Sequence, residues 1–356
     1  MDTRMKSICW SCCLCFILGT FASEDAFSEK GFESIFNGHN LDGWNVMGNP
    51  EGWKVEEGSL LSEGGKGGRG IGTEASYGNF ILRFDWMLSK VGNSGVFIKM
   101  GEAGSRDPGF EVQLLAPWTP HRDDLHCTAS LYGHVAVRNR PDEATERWRS
   151  MEICCDRRKI TVKVDGEVCT ETDMDRVESL RGKAVKGRIG FQDSHTGPGE
   201  WVRFKHIRLK RLDADPDYVV AGFPHPHRAT RRQAHGAAGF LGWKGVAPLM
   251  EALCSTDPMV RTLADTALFD LCVRVRDQEK REQKRLLWKL KGHLRTAPSL
   301  ETRAKAAQLL GLFDEGGKKK CALRRAVKRS VRREEKIVED AARSALLRLE
   351  KAEPSP

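Results

Sequence analysis

Alternation of apolar and polar residues dominates the first part of the chain, from about Phe27 to Leu212. In the run NFILRFDWMLS, Leu82, Phe84 and Trp86 would share one face of an extended strand, with charged residues on the other face. Comparable runs, separated by turn residues, are GWKVEEGSLLS, NSGVFIKM, GFEVQLL, WRSMEICC, KITVKVDGEV, GRIGFQD and WVRFKHIRLKRL. Many short strands without a helical period predict a mainly β, two-sheet antiparallel sandwich, here a jelly roll with one concave face.

The strongest turn signal falls in KITVKVDGEVCT. Asp165 and Gly166 separate two alternating runs there, and an Asp-Gly pair favours the positive φ angles of a two-residue hairpin loop. We therefore expect these two runs to form adjacent antiparallel strands.

The pattern changes after Leu212. Residues 213–235 are rich in Pro and His and are interpreted as a linker, and over 236–352 the apolar period becomes helical. His225 and His227 flank a proline in the linker. Two interpretations are open: the histidines bind a metal ion, or, because no carboxylates accompany them, they are simply exposed to solvent.

Three segments of the helical part can be aligned. They begin at Asp257, Ser299 and Glu334, and in each an alanine precedes a leucine by four residues. A helix, an Asp-Pro-type turn and a second helix with small residues at the crossing resemble a HEAT-like repeat. An ordinary helical bundle is the competing interpretation. Neither arrangement carries a catalytic constellation, so this all-α part is interpreted as a docking domain.

Residues 1–22 have the layout of a secretory signal peptide. Arg4 and Lys6 precede an apolar run, and the small residues Thr20 and Ala22 stand just before the expected cleavage point. The run is too short for an ordinary membrane span, and no later segment is apolar enough to be one. We therefore expect an exported protein, periplasmic or secreted, with no membrane span after cleavage. An N-terminal membrane anchor is the alternative.

The cysteines give little structural information. Four of the 11 fall within the predicted signal peptide. The others are odd in number and have no Cys-x-x-Cys spacing, which argues against a disulfide framework and against a structural zinc site.

The formal net charge of +9 is concentrated in the second part of the chain. Residues 213–356 contain 29 Lys and Arg against 19 Asp and Glu, whereas the residues before them contain 29 against 30. Aromatic residues are not interleaved with the basic ones and export is expected, so nucleic acid is not a predicted partner. A protein or another anionic partner is expected for the basic helical domain.

The strand GFEVQLL places a carboxylate and an amide within an otherwise apolar run. Phe110, Val112 and Leu114 alternate with Glu111 and Gln113, so the two polar side chains share the opposite face. That face is either merely solvated or the floor of a polar cleft.

Six motifs occur in one order along the first part of the chain: FESIFNGHNLDGW (32–44), W-x-V-x-x-GSL (53–60), GNSGVFIK (92–99), FEVQLL (110–115), ASLYG (129–133) and IGFQD (189–193). Together they resemble the 3-keto-disaccharide hydrolase family, also described as 3-keto-glucoside 1,2-lyases and 3-keto-2-hydroxy-glucal hydratases, over residues 27–212. The resemblance implies a concanavalin A-like jelly roll. It also implies that an oxidised oligosaccharide or glycoside is cleaved by elimination at C1–C2 and hydration, with net hydrolysis.

Residues of these motifs are expected to converge in the cleft, where amides and carboxylates bind sugar hydroxyls and aromatic rings cover apolar sugar faces. Glu111 and His195 are the predicted acid/base pair, and Asp193 is predicted to orient His195. A second group is predicted to bind the substrate or stabilise the enolate: Arg83, Asp85, Asn93, Lys99, Gln113, Tyr132 and Gln192. No cofactor is evident from the sequence. A divalent metal ion that stabilises the enolate is the one candidate. Three further histidines are candidates: His39, His126 and His134.

The chain departs from the family pattern at three positions. The histidine that commonly follows Gln-Asp directly is displaced by one residue, to His195. Ala116 replaces the acid that commonly follows the EVQ run, and Lys99 replaces an arginine, without its bidentate fork. A shift of one residue redirects a strand side chain, so the role of His195 depends on the local geometry.

Two functions of other classes remain open on the sequence. A non-catalytic carbohydrate-binding module would use the same concave face for glycan binding without chemistry, and the altered histidine region favours it. An interaction scaffold built on the helical tail would leave the sandwich cleft empty and without affinity for sugars.

Overall fold

The computed structural model describes residues 29–102, 109–119 and 123–313, together with residues 340–341, 343–344 and 347. The chain divides into two compact units, Met1–Lys30 and Gly31–Pro356, and all elements below belong to the second. The predicted signal peptide at 1–22 lies outside the described residues.

Thirteen strands can be traced in the described part of the second unit. They are β1 (Glu33–Ser34), β2 (Trp44–Val46), β3 (Trp53–Glu56), β4 (Ser59–Glu63), β5 (Gly70–Tyr77), β6 (Phe80–Leu88), β7 (Asn93–Met100), β8 (Phe110–Leu115), β9 (Arg149–Asp156), β10 (Lys159–Val164), β11 (Glu167–Asp173), β12 (Gly187–Gln192) and β13 (Trp201–Arg211).

The strands form two antiparallel sheets. The larger has the order β11-β10-β9-β6-β13-β4-β3, with β1 beside β13, and the smaller has the order β2-β5-β12-β7-β8. Successive strands cross between the sheets: β4 and β6 lie in the larger one, β5 and β7 in the smaller. The domain is the predicted jelly-roll sandwich.

Aromatic side chains from both sheets fill the space between them. The ring centroids of Phe84 on β6 and Phe191 on β12 are 5.4 Å apart, and those of Phe191 and Phe204 on β13 are 4.2 Å apart. Along β6 every second residue is buried, which confirms the predicted face of Leu82 and Trp86. Burial of these large apolar surfaces is the main force that holds the two sheets together.

The predicted Asp-Gly hairpin is present. β10 and β11 pair in antiparallel register, and the loop residues Asp165 and Gly166 have φ angles of 46° and 88°. Both angles are positive, as a twisted two-residue loop requires.

A helical region follows the sandwich. Its helices within the described residues are α2 (Pro216–Val220), α3 (Arg228–Ala238), α4 (Val246–Ala252), α5 (Pro258–Arg276), α6 (Lys280–Thr296) and α7 (Leu300–Leu310), while α1 (Glu178–Arg181) belongs to the sandwich domain. Short 3₁₀ turns precede α2 and α4.

The segment 213–235, expected to be a linker, is folded. Asp215 accepts hydrogen bonds from backbone N–H groups of α2, and Pro216 occupies its first turn, which is a common start for a helix. Val219 and Phe223 are buried in the helical core. The prolines of this segment mark a helix start and tight turns rather than a linker. The apolar residues beside them pack against the following helices, so the segment is folded.

The predicted helix–turn–helix at Asp257 is present. Helix α4 precedes the turn, and the Asp257 side chain caps α5, which follows it. The segment beginning at Ser299 forms α7, in which Ala306 and Leu310 are buried. The third aligned segment, which begins at Glu334, lies almost entirely outside the described residues. The HEAT-like arrangement therefore stays a prediction.

Two further features of the described residues concern membrane insertion and the cysteines. None of their helices is both long and apolar enough to span a bilayer. Their cysteines are free thiols: Cys127, Cys154, Cys155, Cys169, Cys254 and Cys272.

Candidate functional site

The outer face of the smaller sheet carries a polar patch at one end of its strands. Residues directly opposite each other on paired strands project to the same side, and Gly95 of β7 pairs with Gln113 of β8, as Phe97 pairs with Glu111. Their neighbour Val112 is fully buried in the core. The four paired residues therefore share the face that points away from the larger sheet.

The Glu111 side chain folds across the neighbouring strand at Gly95. A Cβ atom at position 95 would collide with Oε1 of Glu111 and would lie 2.6 Å from its carboxyl carbon. Only a glycine leaves this space open. Among the described residues, no cation or hydrogen-bond donor pairs with the carboxylate, and burial raises the pKa of Glu111 to about 7. Such a group can take up or release a proton near neutral pH.

Two amide side chains lie beside this carboxylate. Nε2 of Gln113 donates to Oδ1 of Asn93 over 3.4 Å, and Gln113 is buried. Asn93 begins β7, so the pair occupies the end of the sheet. Amides with both donor and acceptor atoms suit the paired hydroxyl groups of a sugar.

A loop extends the sheet edge next to Glu111. The backbone N–H of Tyr132 donates to the carbonyl oxygen of Glu111 at 2.9 Å, and the Tyr132 side chain is 44% exposed. The ring of His126 contacts the Tyr132 ring edge-on at 4.8 Å, and its Nδ1 lies 2.7 Å from Oδ1 of Asp123. Tyr132 therefore lies at the rim of the patch, supported by one of the further candidate histidines.

The turn after β12 is fastened to the same end of the sheet. The backbone N–H of His195 donates to the carbonyl oxygen of Asn93 at 2.8 Å, and the hydroxyl of Ser94 donates to the carbonyl oxygen of Gln192. These bonds hold the turn beside the start of β7. The structure thus brings Gln192 and His195 next to the amide pair.

Asp193 anchors this turn. Its Oδ2 accepts a hydrogen bond of 2.7 Å from the backbone N–H of Arg69. Its other oxygen, Oδ1, is buried, has no hydrogen-bond partner among the described residues and lies 3.9 Å from Nδ1 of His195. The His195 side chain is 67% exposed. Asp193 therefore faces the imidazole, but at this separation the two groups do not form a close hydrogen bond.

An apolar strip completes the face, and sequence reasoning missed it. A Cβ atom on Gly70 of β5 would collide with the methyl group of Met47 and would lie 3.8 Å from the ring of Phe97. Both side chains therefore cover the backbone beside Gln192, whose strand partner is Gly70. Because Val96, Phe97 and Ile98 are all apolar, only strict alternation from Val96 would have assigned Phe97 to the outer face.

Arg83 and Asp85 do not belong to this patch. Both project from the outer face of the larger sheet, where Nε of Arg83 donates to Glu152 at 2.6 Å and Oδ2 of Asp85 lies 2.6 Å from Nδ1 of His206. The predicted alternation on β6 is right, but a sandwich has two outer faces. Strand periodicity does not tell which of them a polar residue occupies.

Lys99 is also absent from the patch, because its side chain is buried. Its backbone has a φ of 56°, at a point where the pairing of β12 with β7 shifts register. The ammonium group donates to the carbonyl oxygens of Gly78 (2.9 Å) and Val185 (2.7 Å). Burial lowers the pKa of Lys99. The bulge reverses the expected direction of the side chain.

This position predicts a structural role for Lys99. Lys99→Met is expected to lower the free energy of unfolding by about 2–4 kcal/mol, because two buried carbonyl groups lose their charged donor. The kcat/KM for a sugar substrate should change by less than about threefold. Urea unfolding and steady-state kinetics measure the two effects, with the exposed Lys159→Met as the control. Lost turnover at unchanged stability would instead place Lys99 in the site.

The described ranges also bear on the predicted metal ion. They contain no group of three or more His, Cys, Asp or Glu side chains that could hold a metal ion. His225 and His227 contact each other through the N–H of His227 and Nδ1 of His225, and Nε2 of His227 lies 3.5 Å from Asp175. These residues therefore provide no ligand set for a divalent ion.

Residues 31–210 match the 3-keto-alpha-glucoside-1,2-lyase-like domain family. A protein of Bacteroides thetaiotaomicron described as a 3-keto-disaccharide hydrolase is 34% identical to this chain. That match covers 51% of this chain and 79% of the Bacteroides protein. Both the polar patch and the sandwich fall within the matched residues, and the helical region follows the family match.

Solved structures of similar proteins include a candidate glycosyl hydrolase from Parabacteroides distasonis. It is 24% identical with a TM-score of 0.44, over 51% of this chain and 93% of the other. A beta-glucanase from Bacillus licheniformis is 13% identical with a TM-score of 0.35, over 51% of this chain and 97% of the other.

Proposed function

Because this chain belongs to the 3-keto-alpha-glucoside-1,2-lyase-like family, we propose that its sandwich domain cleaves 3-keto-glycosides by elimination at C1–C2 followed by hydration. The family and the Bacteroides relative support a carbohydrate hydrolase. One observation carries the finer proposal: the carboxyl group of Glu111, with a pKa of about 7, lies over Gly95 on a face lined by amides and an apolar strip. That group matches the requirement for a base that works near neutral pH.

The proposed elimination begins with the proton on C2, which the neighbouring 3-keto group makes acidic. Glu111 takes this proton, the electron pair of the C–H bond forms the C1=C2 double bond, and the C1–O bond to the aglycone breaks. The aglycone leaves as an alcohol after it gains a proton. Water then adds across C1=C2, with its hydroxyl on C1 and a proton on C2, so the net reaction is hydrolysis.

Other side chains of the patch have supporting roles in this proposal. Enolate charge develops on the C3 oxygen during proton removal, and the amide N–H groups of Asn93 and Gln192 are donors on the same end of the sheet. His195 is assigned the proton that the aglycone requires, with Asp193 orienting the ring. Tyr132, Phe97 and Met47 bind the sugar rings at the rim and on the apolar strip.

The proposal is tested by incubating the purified protein with 3-keto-trehalose, with and without divalent ions. The 3-keto-2-hydroxy-glucal and free 3-keto-glucose are followed by chromatography over time. The proposal requires both products, with the glucal appearing first. Release of 3-keto-glucose without any glucal in a rapid-quench series would show direct displacement instead of elimination.

The raised pKa of Glu111 leads to a specific pH dependence. If Glu111 acts as the base, kcat/KM should fall about tenfold per pH unit below 7 and level off above it, because only the ionised carboxylate accepts a proton. A pH series from 5 to 9 measures the inflection. An inflection near 4.5, the ordinary value for a glutamate, would place the essential base elsewhere or expose Glu111 to solvent.

A non-catalytic carbohydrate-binding module remains the second candidate. The exposed imidazole of His195, 3.9 Å from Asp193, favours it, because a catalytic acid is usually held more firmly. The same incubation separates the two functions. A binding module would retain intact glycan in affinity electrophoresis and release no product.

Export is part of the proposal and derives from the N-terminal pattern of charged, apolar and small residues. Expression of the full chain in a Gram-negative host should give a mature protein that begins at Ser23 in the periplasmic or extracellular fraction. N-terminal sequencing tests this. An intact Met1 in the membrane fraction would support the anchored alternative.

A further inference from the structure

A large cavity separates the sandwich from the helical region. Its volume is about 1040 Å³, at the upper end of the range for ligand pockets. Residues near the turn between β5 and β6 line one side, including Tyr77, and residues of α3 and the 3₁₀ turn before α4 line the other. The cavity lies at the opposite strand ends from Asn93 and Gln192 of the polar patch. On β12, Gly187 pairs with Tyr77 and Gln192 pairs with Gly70, a separation of roughly 17 Å along the strand.

The walls of this cavity carry an excess of positive charge. Five Lys and Arg residues face two acidic residues, Asp213 and Glu282. Two of the five cations are neutralised, because Arg211 pairs with Glu33 at 2.9 Å and Arg285 pairs with Glu282 at 2.9 Å.

Three of the lining cations have no acidic partner within the described part of the chain: Lys186, Arg232 and Lys244. All three are exposed. Asp213, the remaining acid, accepts hydrogen bonds from the backbone and side chain of Asn79. The cavity therefore presents uncompensated cations that attract an anion.

Aromatic rings lie among these cations. Phe240 is 73% exposed and contributes to the cavity wall. Trp243 is flanked by Arg285, whose guanidinium carbon lies 5.5 Å from the ring centroid. On the sandwich side, Arg211 stands over the Tyr77 ring at 5.1 Å. Alternating rings and cations suit a ligand with apolar faces and anionic substituents.

One buried amide in the wall lacks partners. Both Nε2 and Oε1 of Gln233 are buried and have no hydrogen-bond partner among the residues that the structure describes. The amide packs against Gly78, where a Cβ atom would collide with Nε2. An unpaired amide of this kind is costly unless a ligand or water satisfies it. It offers one acceptor and two donors, a set that hydroxyl groups complement.

We propose that this cavity binds an anionic oligosaccharide, through sulfate or carboxylate groups on Arg232 and Lys244 and hydroxyl groups on Gln233. The carbohydrate class rests on the proposed function of the adjoining domain, whereas the anionic character rests on the cavity itself. Because the cavity lies at the opposite strand ends from Asn93 and Gln192, this site holds the enzyme on a charged glycan without taking part in the cleavage of the 3-keto-glycoside.

Isothermal titration calorimetry of the full chain tests the proposal at low salt. The probes are a heparin-derived hexasaccharide (sulfate), a hexagalacturonate (carboxylate), cellohexaose (neutral) and an oligodeoxythymidylate of the same net charge as the heparin probe. We expect binding of one or both anionic saccharides, and which one binds identifies the anion. The Arg232→Gln/Lys244→Gln double variant should weaken it at least tenfold. Arg228→Gln/Lys280→Gln removes one exposed Arg and one exposed Lys outside the cavity and should bind like the unmodified protein.

Three results would overturn the site. They are equal weakening by both double variants, equal binding of cellohexaose, and binding of the oligodeoxythymidylate with the same sensitivity to Arg232→Gln/Lys244→Gln. The Glu111→Gln variant should bind the anionic saccharide normally. Saccharide binding without any turnover of 3-keto-trehalose would therefore refute the enzymatic proposal alone, and turnover without saccharide binding would refute the cavity alone.

Discussion

Replacing Glu111 with glutamine is expected to lower kcat/KM for 3-keto-trehalose by about 10²- to 10⁴-fold, the usual contribution of a general base. The amide keeps the shape of the side chain, so it still fits over Gly95, but it cannot accept the C2 proton. Steady-state assays of glucal formation measure the loss. Glu171→Gln, an exposed strand position on the larger sheet, is the matched control and should behave like the unmodified enzyme.

The same variant should be at least as stable as the unmodified protein. The pKa of Glu111 lies near 7 in the fold, against its ordinary value of 4.5 in the unfolded chain. Between these values the folded state binds more protons, so its stability falls as the pH rises. Glutamine removes that loss, with a gain of up to about 3 kcal/mol at pH 8 and little change at pH 4.

Urea unfolding at both pH values therefore separates catalysis from folding. A variant that is inactive yet equal or greater in stability would assign Glu111 to proton transfer. If Glu111→Gln retained turnover within about threefold, the carboxylate would be only a solvated residue on the sheet, and the base would have to be sought elsewhere on the patch.

The sequence predicted the strands and the faces of their side chains well, because alternation follows directly from the geometry of a strand. Glu111 and Gln113 do share a face, and Asn93 and Gln192 lie at the same end of that sheet. These residues were found because each sits inside a motif whose order along the chain matches the family. Local pattern and motif order gave consistent information there.

Two failures have a common physical origin. Periodicity assigns a side chain to one face of a strand, but it does not assign the strand to a sheet. Arg83 and Asp85 therefore lie on the outer face of the larger sheet instead of beside Glu111 on the smaller one. Lys99 shows a different limit: a single residue at positive φ reverses the side-chain direction, and no periodic signal marks a bulge formed by a lysine.

The helical part shows how composition misleads. The Pro- and His-rich composition of residues 213–235 predicts a linker, yet an Asp-Pro pair starts α2 there, and Phe223 is fully buried. Asp-Pro begins α5 as well. Capping residues decide the start of a helix, and the apolar residues that follow decide whether it packs. The interdomain cavity could not be anticipated for a related reason, because it exists only once α3 packs beside the β5–β6 turn.

Gly95→Ala is the most specific test of the site geometry, because it adds one methyl group at the point where the Glu111 carboxyl lies. The new Cβ would collide with Oε1 and would lie 2.6 Å from the carboxyl carbon, so the carboxyl group has to move toward solvent. We expect kcat/KM to fall by about 10²-fold. Gly95 is not among the residues with positive φ, and the displaced group is the end of a flexible side chain. Stability should therefore change by less than about 1 kcal/mol.

Two further measurements make this prediction specific to Glu111. The displaced carboxyl group is better hydrated, so its pKa should fall and the inflection of kcat/KM should move below pH 7. In the Glu111→Gln background, Gly95→Ala should have almost no further effect, because both changes remove the same function. Gly182→Ala is the matched control, since a Cβ atom there meets nothing within 4 Å. Additive losses in the double variant would mean that Gly95 contacts the sugar directly and that the position of the Glu111 carboxyl over this strand does not determine the rate.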